Sequence, residues 1–523
     1  MKNKSNLLLL SALLGGLLFS FLFWEERLAL NLLIYSVYLL TITYLNPEVI
    51  KSTKLHIYGS VHLFTAILVV VNNSDLTLVS YYISMIMFIG FGHHQQLRTV
   101  FMAFFATALQ MITVPFNAIK ALSEVSIGNF NLKPVFKIIK YVFIPLIIVI
   151  IFTTLYSAAS SVFDHYTELI LTNIADFFKN IFGFLFEDLS IERFIHFCFG
   201  LVITASLIFT FFDKSFIKIE LECKEKLIRI RRNLKQTSVL NELASAFTGS
   251  LLTKKLALKT EYITAIISFG ALNLLLLFLN GIDIWWLWLG NGKNLAETNY
   301  SAELHDGTNV LIFSIILAMA IIVYFFRGNL NFYSKGKLIR ILAFAWMIQN
   351  FVLIISVIVR DAHYIEFYGL THKRIGVLVF ALLCSIGLIT VYIKIANQKT
   401  LFYLLKTNGN IWFVLLLTFS LINWDVFIAK YNLAKSDVIS IDAQYLLSLS
   451  DKTLPVLDKN RAKLHFTPGT DLSYRTYPSP ETAEFYQKQL DQRIGFFKER
   501  YEEVSWLSWN FQDWKTAEYF GIK

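Results

Sequence analysis

An all-α, polytopic membrane protein is the fold class this 523-residue sequence predicts, and three observations predict it. Apolar segments of about 16 to 22 residues recur from Leu7 to Ile428, each near the length a helix needs to cross hydrocarbon. Hydrophobic residues make up 56% of the chain and charged ones only 16%, at a mean hydropathy of +0.56, where a soluble domain carries roughly 25% charged. At Ala429 the chain turns hydrophilic and stays so to Lys523. Length alone would fit about three soluble domains, but one membrane domain with one tail accounts better for the pattern.

The first apolar segment, 7–23, follows Lys2 and Lys4 and is longer than the core of a signal peptide. Trp24-Glu25-Glu26-Arg27 follows it in place of a small-x-small cleavage site, so it reads as a retained helix with an interfacial aromatic residue. The segments after it are 28–45, 57–71, 76–91, 99–116, 141–160, 194–212, 262–281, 310–326, 338–359, 375–395 and 411–428. In the tail, 441–450 and 481–503 have helical spacing, and 465–480, rich in Thr, Ser and Pro, reads as a linker. Trp506, Trp509, Phe511, Trp514 and Phe520 close the chain, an aromatic density that fits a small core or a membrane interface. The tail is expected to be a small helical cap on the outer loops.

Orientation follows from the positive charge. Residues 213–259 form a strongly basic loop and belong on the cytoplasmic side, with Arg327 to Arg340 and Lys394 to Lys406 beside them two and four spans later. Acidic stretches 161–192 and 283–306 belong outside, which puts the tail outside too. Lys2, Lys4, Lys51, Lys54 and Arg98 place the N-terminus in the cytoplasm, so an odd number of crossings is required. Segment 99–116 is interrupted by Gln110 and Pro115 and has basic residues at both ends, and it is therefore expected to be interfacial or re-entrant. The prediction is about eleven spans plus that helix, organised as an N-terminal membrane subdomain 1–212, a basic loop 213–259, a second membrane subdomain 260–428 and an extracytoplasmic tail 429–523.

The net charge of +10 does not point to nucleic acid, because the excess sits in loops beside spans, where Lys and Arg set orientation and meet lipid. The expected partners are membrane lipids, with anionic headgroups at the basic loop. Cys198 and Cys384 lie in apolar segments and Cys223 in the basic loop, which offers no disulfide or metal pair. No carboxylate lies mid-span as a pump would need. Asn273, Gln349 and Asn350 read as interhelical hydrogen-bonding residues.

Ionisable residues gather instead at the outer ends of two spans. His305, Asp306, Arg360, Asp361, His363, Glu366 and Arg374 form the candidate outer-face polar site. Their spacing matches no zinc motif such as HExxH. No catalytic, cofactor-binding or metal-ligating residue is assigned.

Tyr368-Gly369-Leu370-Thr371-His372-Lys373-Arg374 resembles the YGLT-x-x-R signature of a bacterial multi-pass membrane family catalogued as domain of unknown function 4173. Asp306-Gly307-Thr308, the patch from Phe326 to Phe332, and Ser505-Trp506-Leu507-Ser508-Trp509-Asn510 resemble its other patches. The resemblance covers roughly residue 262 to the C-terminus. It implies a multi-pass envelope protein with a soluble C-terminal portion and no assigned reaction. In the signature, Gly369 suits a turn with positive φ, Thr371 a helix cap, and Arg374 requires a partner against the macrodipole. The leading expectation is a non-enzymatic protein of the bacterial inner membrane that transports or handles a lipid or small molecule. The alternatives are a signalling or scaffold protein with a cytoplasmic partner, and a transferase acting on a lipid-linked substrate.

Overall fold

The computed structural model describes residues 2–47, 49–123, 126–127, 130–131, 149, 152–154, 156–157, 161–182, 191–209, 220–229, 250–251, 255–289, 300–437, 439, 441–464 and 483–522. Helices dominate them, in the order α1 (Lys2–Phe23), α2 (Leu30–Leu45), α3 (Thr53–Asn72), α4 (Asp75–His93), α5 (Val100–Ser123), α6 (Ser161–Phe182) and α7 (Ile191–Ile208). Then come α8 (Lys255–Asp283), α9 (Tyr300–Phe325), α10 (Lys337–Tyr368), α11 (His372–Ala396) and α12 (Leu401–Ser420). The tail adds α13 (Trp424–Ala434), α14 (Ala443–Ser448), α15 (Leu454–Lys459), α16 (Ala483–Glu502) and α17 (Phe511–Tyr519). Two pairs of two-residue strands, Ser126–Ile127 with Phe130–Asn131 and Ile228–Arg229 with Ser250–Leu251, leave the helical class unchanged.

Among the described residues, six helices are long and apolar enough to cross a membrane: α3, α4, the part of α8 from Leu258, α10, α11 and α12. Shorter apolar stretches occupy Leu10–Phe23, Leu30–Leu45, Val100–Thr113 and Val310–Phe325. This supports an α-helical membrane protein but not the count of eleven. The expected span 141–160 lies mostly outside the described residues, and the acidic segment expected to be a loop from 161 is helical as α6.

Local caps set several helix starts. Ser52 accepts from Leu55 N at α3, Ser74 and Thr77 form a reciprocal capping box at α4, and Thr400 accepts from Tyr403 N at α12. Asn423 caps α13 by accepting from Val426 N, which breaks the expected span 411–428 into the end of α12 and the start of a tail helix. Helix α10 runs nine residues past the expected end at 359, so Arg360, Asp361, His363 and Glu366 stand on its last turns and not in a loop.

The helix ends gather at two opposite faces. On one, Leu30 N donates to Trp509 O, Asn73 to Leu28 O at 2.7 Å and Asn72 to Leu421 O at 2.9 Å. On the other, Lys54 donates to Gln95 O at 2.9 Å, Leu227 N to Gln398 O at 2.9 Å, and the buried Lys394 to Phe326 O at 2.6 Å. There Glu225 bridges Arg98 at 2.9 Å and Lys406 at 2.6 Å, tying part of the basic segment to the start of α5 and to α12. Helix α5 crosses its neighbours closely: a Cβ on Gly90 would stand 2.6 Å from Ala103 O. Thr107 donates to Ile86 O at 3.0 Å and Gln110 to Ser206 O at 2.7 Å, so its hydrogen bonds reach the later turns of α4 and of α7.

The tail packs on the first face. Leu454, Leu457, Leu464, Leu490 and Phe497 are buried in one cluster with Leu370, Ile428 and Leu433. Helices α14 and α16 lie within the two segments expected to be helical, and the expected linker 465–480 lies outside the described residues. The terminal aromatic patch also docks: Ser505 and Ser508 both donate to the Glu26 carboxylate, at 2.6 and 2.5 Å.

Candidate functional site

The turn between α10 and α11 organises the tail-bearing face. Gly369 combines a φ of 76° with an extended ψ. That region of backbone space is open essentially to glycine alone. Beyond it Leu370 N donates to Asn432 Oδ1 at 2.6 Å while Asn432 Nδ2 donates to Leu370 O at 2.9 Å, a two-way clamp between turn and tail. Thr371 then caps α11 by accepting from Arg374 N.

Arg374 satisfies itself nearby. Its guanidinium lies 4.5 Å from the Tyr364 ring and donates to the carbonyls of Tyr368, at 2.9 Å, and Gly369. The ring face attracts the cation, and the unsatisfied C-terminal carbonyls of α10 supply the partner it needs against the α11 dipole. Arg360 pairs with Asp283 of α8, a residue that is 3% exposed and therefore not part of an outer loop. His363 and Glu366 are exposed and 3.8 Å apart. His305 and Asp306 fall in the first turns of α9, with side chains outside the described residues. Asp361 is buried, 6% exposed, within electrostatic reach of Arg374, so these two of the seven expected site residues are brought together while the others stand in separate local arrangements.

Between α8 and α10 runs a polar seam. Gln349 donates to Asn273 Oδ1 at 2.9 Å, Asn273 to Leu342 O at 3.0 Å and Asn280 to Gln349 O at 3.0 Å. Asn273 and Gln349 are the interhelical pair expected from sequence, whereas Asn350 donates to Trp346 O within its own helix.

The face holds a different site. A cavity of about 880 Å³ opens beside the α10–α11 turn, in the range typical of ligand pockets, about 300 to 1,000 Å³. Its depth is apolar, walled by Leu76 and Val79 of α4, Val379, Phe380 and Leu383 of α11, and Trp412, Leu416 and Phe419 of α12. Its mouth is charged, with Arg27, Asp75, His372, Asp425, Asp451, Lys452, Arg500 and Asp513 supplied by the α1–α2 connection, the starts of α4, α11 and α13, and the rest of the tail.

Hydrogen bonds hold the mouth in place. His372 Nε2 is 2.9 Å from Asp425 Oδ1, and its Nδ1 and backbone N each lie 3.0 Å from the Tyr445 hydroxyl. Ser450 N donates to the other Asp425 oxygen at 3.2 Å. Burial alone would raise the Asp425 pKa, but the bonds from His372 and Ser450 outweigh it and hold the carboxyl down at about 2. Asp451 accepts from Arg493 and Arg500, both at 2.6 Å. Lys452 donates to Asn73 Oδ1 at 3.3 Å. Burial lowers the pKa of this lysine against the pull of the Asp513, Asp425 and Asp75 carboxylates.

None of the seven expected site residues lines this cavity, although it adjoins the turn they surround. His372 alone had a visible signal, inside the 368–374 signature. The tail residues had none, because contacts such as Lys452 to Asn73, 379 positions apart, leave no local pattern. Among the described residues no group of three or more His, Cys, Asp or Glu is placed to hold a metal ion.

Long apolar helices, a capping tail and an amphipathic cavity beneath it define an α-helical membrane protein with a candidate ligand site at one face. The chain belongs to the family described as Domain of unknown function (DUF4153), whose model matches residues 58–460. That match runs from α3 through α15, takes in the α10–α11 turn and stops before α16 and α17 of the cap. A family of unknown function is thereby established, but it is family 4153, not the family 4173 that the signature patches resemble. No curated protein and no solved structure matches the chain.

Proposed function

We propose that this protein binds and handles a single amphipathic, lipid-like molecule, seating its polar end beneath the tail and its apolar end between α4, α11 and α12. The observation that carries this reading is the division of one cavity into a charged mouth and an aliphatic and aromatic depth. Such a gradient matches a molecule that is apolar at one end and polar at the other, and it opens at the helix ends where headgroups lie. In this reading the tail-bearing face is extracytoplasmic in a bacterial envelope membrane, and the N-terminus lies inside. The basic segment 213–259 then meets anionic lipid on the cytoplasmic leaflet. The protein acts by binding and release, not by covalent chemistry.

Gly376 tests the proposal. It lines the cavity, and a Cβ built there meets nothing within 4 Å, so a side chain enters open space. Gly376→Trp should fold and purify as wild type while losing the lipid that accompanies the wild-type protein in native mass spectrometry. A wild-type protein that carries no lipid, or a tryptophan variant that retains it, overturns the reading.

A further inference from the structure

The charges at the mouth are balanced, and some of them are already committed to one another. Asp451 is held by Arg493 and Arg500, and Asp425 by His372 and Ser450 N. Of the remaining charged residues at the mouth, Arg27 and Lys452 are cationic and Asp75 and Asp513 anionic, and among the described residues none of the four is in an ion pair. Asp513 does accept from Asn510 Nδ2 at 2.9 Å, and Lys452 donates only to the neutral amide of Asn73. Two charges of each sign therefore face the cavity without a direct ion pair, Lys452 standing within the pull of the Asp75 and Asp513 carboxylates.

We infer that the mouth selects a zwitterionic headgroup, one that joins a phosphate to an ammonium group, over a headgroup of net negative charge. This rests on the lipid-binding reading above and names its ligand class. Arg27 and Lys452 offer positive charge to the phosphate, and Asp75 and Asp513 offer negative charge to the ammonium. A purely anionic headgroup would satisfy the first pair and leave the second facing a like charge in a partly desolvated site, where an unpaired charge is costly. A cavity built for anionic lipid alone would carry basic residues without this acidic set.

The test uses the full-length protein in lipid nanodiscs of ethanolamine phospholipid or of glycerol phospholipid, with bound lipid counted by native mass spectrometry. Wild type should retain the ethanolamine lipid about tenfold better than the glycerol lipid. Asp75→Asn combined with Asp513→Asn should remove that preference, and Asp75→Asn alone, at an exposed helix start, should reduce it without disturbing the cap. Lys452→Gln should weaken both lipids about tenfold. Free glycerophosphoethanolamine should not displace the bound lipid, and its competition at equal concentration would overturn a lipid source for the headgroup. Equal retention of the two lipids by wild type, or an unchanged preference in the double variant, overturns the headgroup inference. If that equal retention is still abolished by Gly376→Trp, the cavity reading survives alone; if wild type retains neither lipid, both fall.

Discussion

Replacing Gly369 by alanine isolates the turn on which the cap is hung. In that backbone conformation an L-residue costs roughly 1 to 3 kcal/mol that glycine does not. The added Cβ would also stand 2.6 Å from Asn432 Oδ1, so Asn432 must move, and both hydrogen bonds of the Leu370–Asn432 clamp weaken with it. Each is worth about 0.5 to 1.5 kcal/mol net. Allowing for partial relaxation, Gly369→Ala should destabilise cap docking by about 2 to 4 kcal/mol. At about 1.4 kcal/mol per tenfold, amide exchange across α13 and α14 should accelerate roughly thirty- to several-hundred-fold, with the exchange of α3 and α4 little changed. Asn432→Ala should lose the clamp without the backbone strain, and the double variant should cost less than the sum of the two, because the clash disappears. Exchange in Gly369→Ala within twofold of wild type would refute the argument, as would strict additivity in the cycle.

Two further outcomes concern carboxylates outside the spanning helices. The depressed pKa of Asp425 means that its contribution is fully present above the ordinary aspartate value of 3.8 and is lost as pH falls towards about 2. Cap docking should therefore owe no change between pH 7 and pH 5 to this carboxyl, and Asp425→Asn should loosen the cap by about 2 kcal/mol at neutral pH, read as faster exchange in α14. Glu225 is also held below its ordinary value, first by the Lys406 hydrogen bond and then by Arg98, so its tether is present above the glutamate range and released in acid below it. Being about one-third exposed, the group contributes less than about 1 kcal/mol. Glu225→Gln should raise exchange in residues 220–228 only a few-fold, and an unchanged rate would show that backbone pairing with residues 398–400 holds the segment by itself.

Where the sequence carried local signals, the structure is close to what they predict. The glycine turn, the Thr371 cap, the apolar helices and the tail helices expected within 441–450 and 481–503 rest on backbone conformation and on periodicity within one segment. Helix ends were less legible, because hydropathy marks where apolar residues stop and not where helical hydrogen bonding stops. Residues from Arg360 to Tyr368 are polar enough to resemble a loop, yet they stay helical because Arg360 pairs with Asp283 and Arg374 returns to the final carbonyls. The candidate site was misplaced for the same reason. The charges most conspicuous in sequence, Arg360 and Arg374, are committed to neighbours inside the fold.

The solvent in which the chain folds, its helical class and the glycine turn on which the cap is hung were all legible before any packing was known. These depend on composition, on the length of apolar runs and on one glycine conformation, all properties of contiguous residues. That Asp75, His372, Lys452 and Asp513 share the mouth of one cavity over an apolar depth emerges from long-range packing alone. Their grouping requires the tail to pack across connections hundreds of positions away, and the free energy that selects it lies in a buried cluster shared by Leu370, Ile428 and Leu490, which no single segment contains.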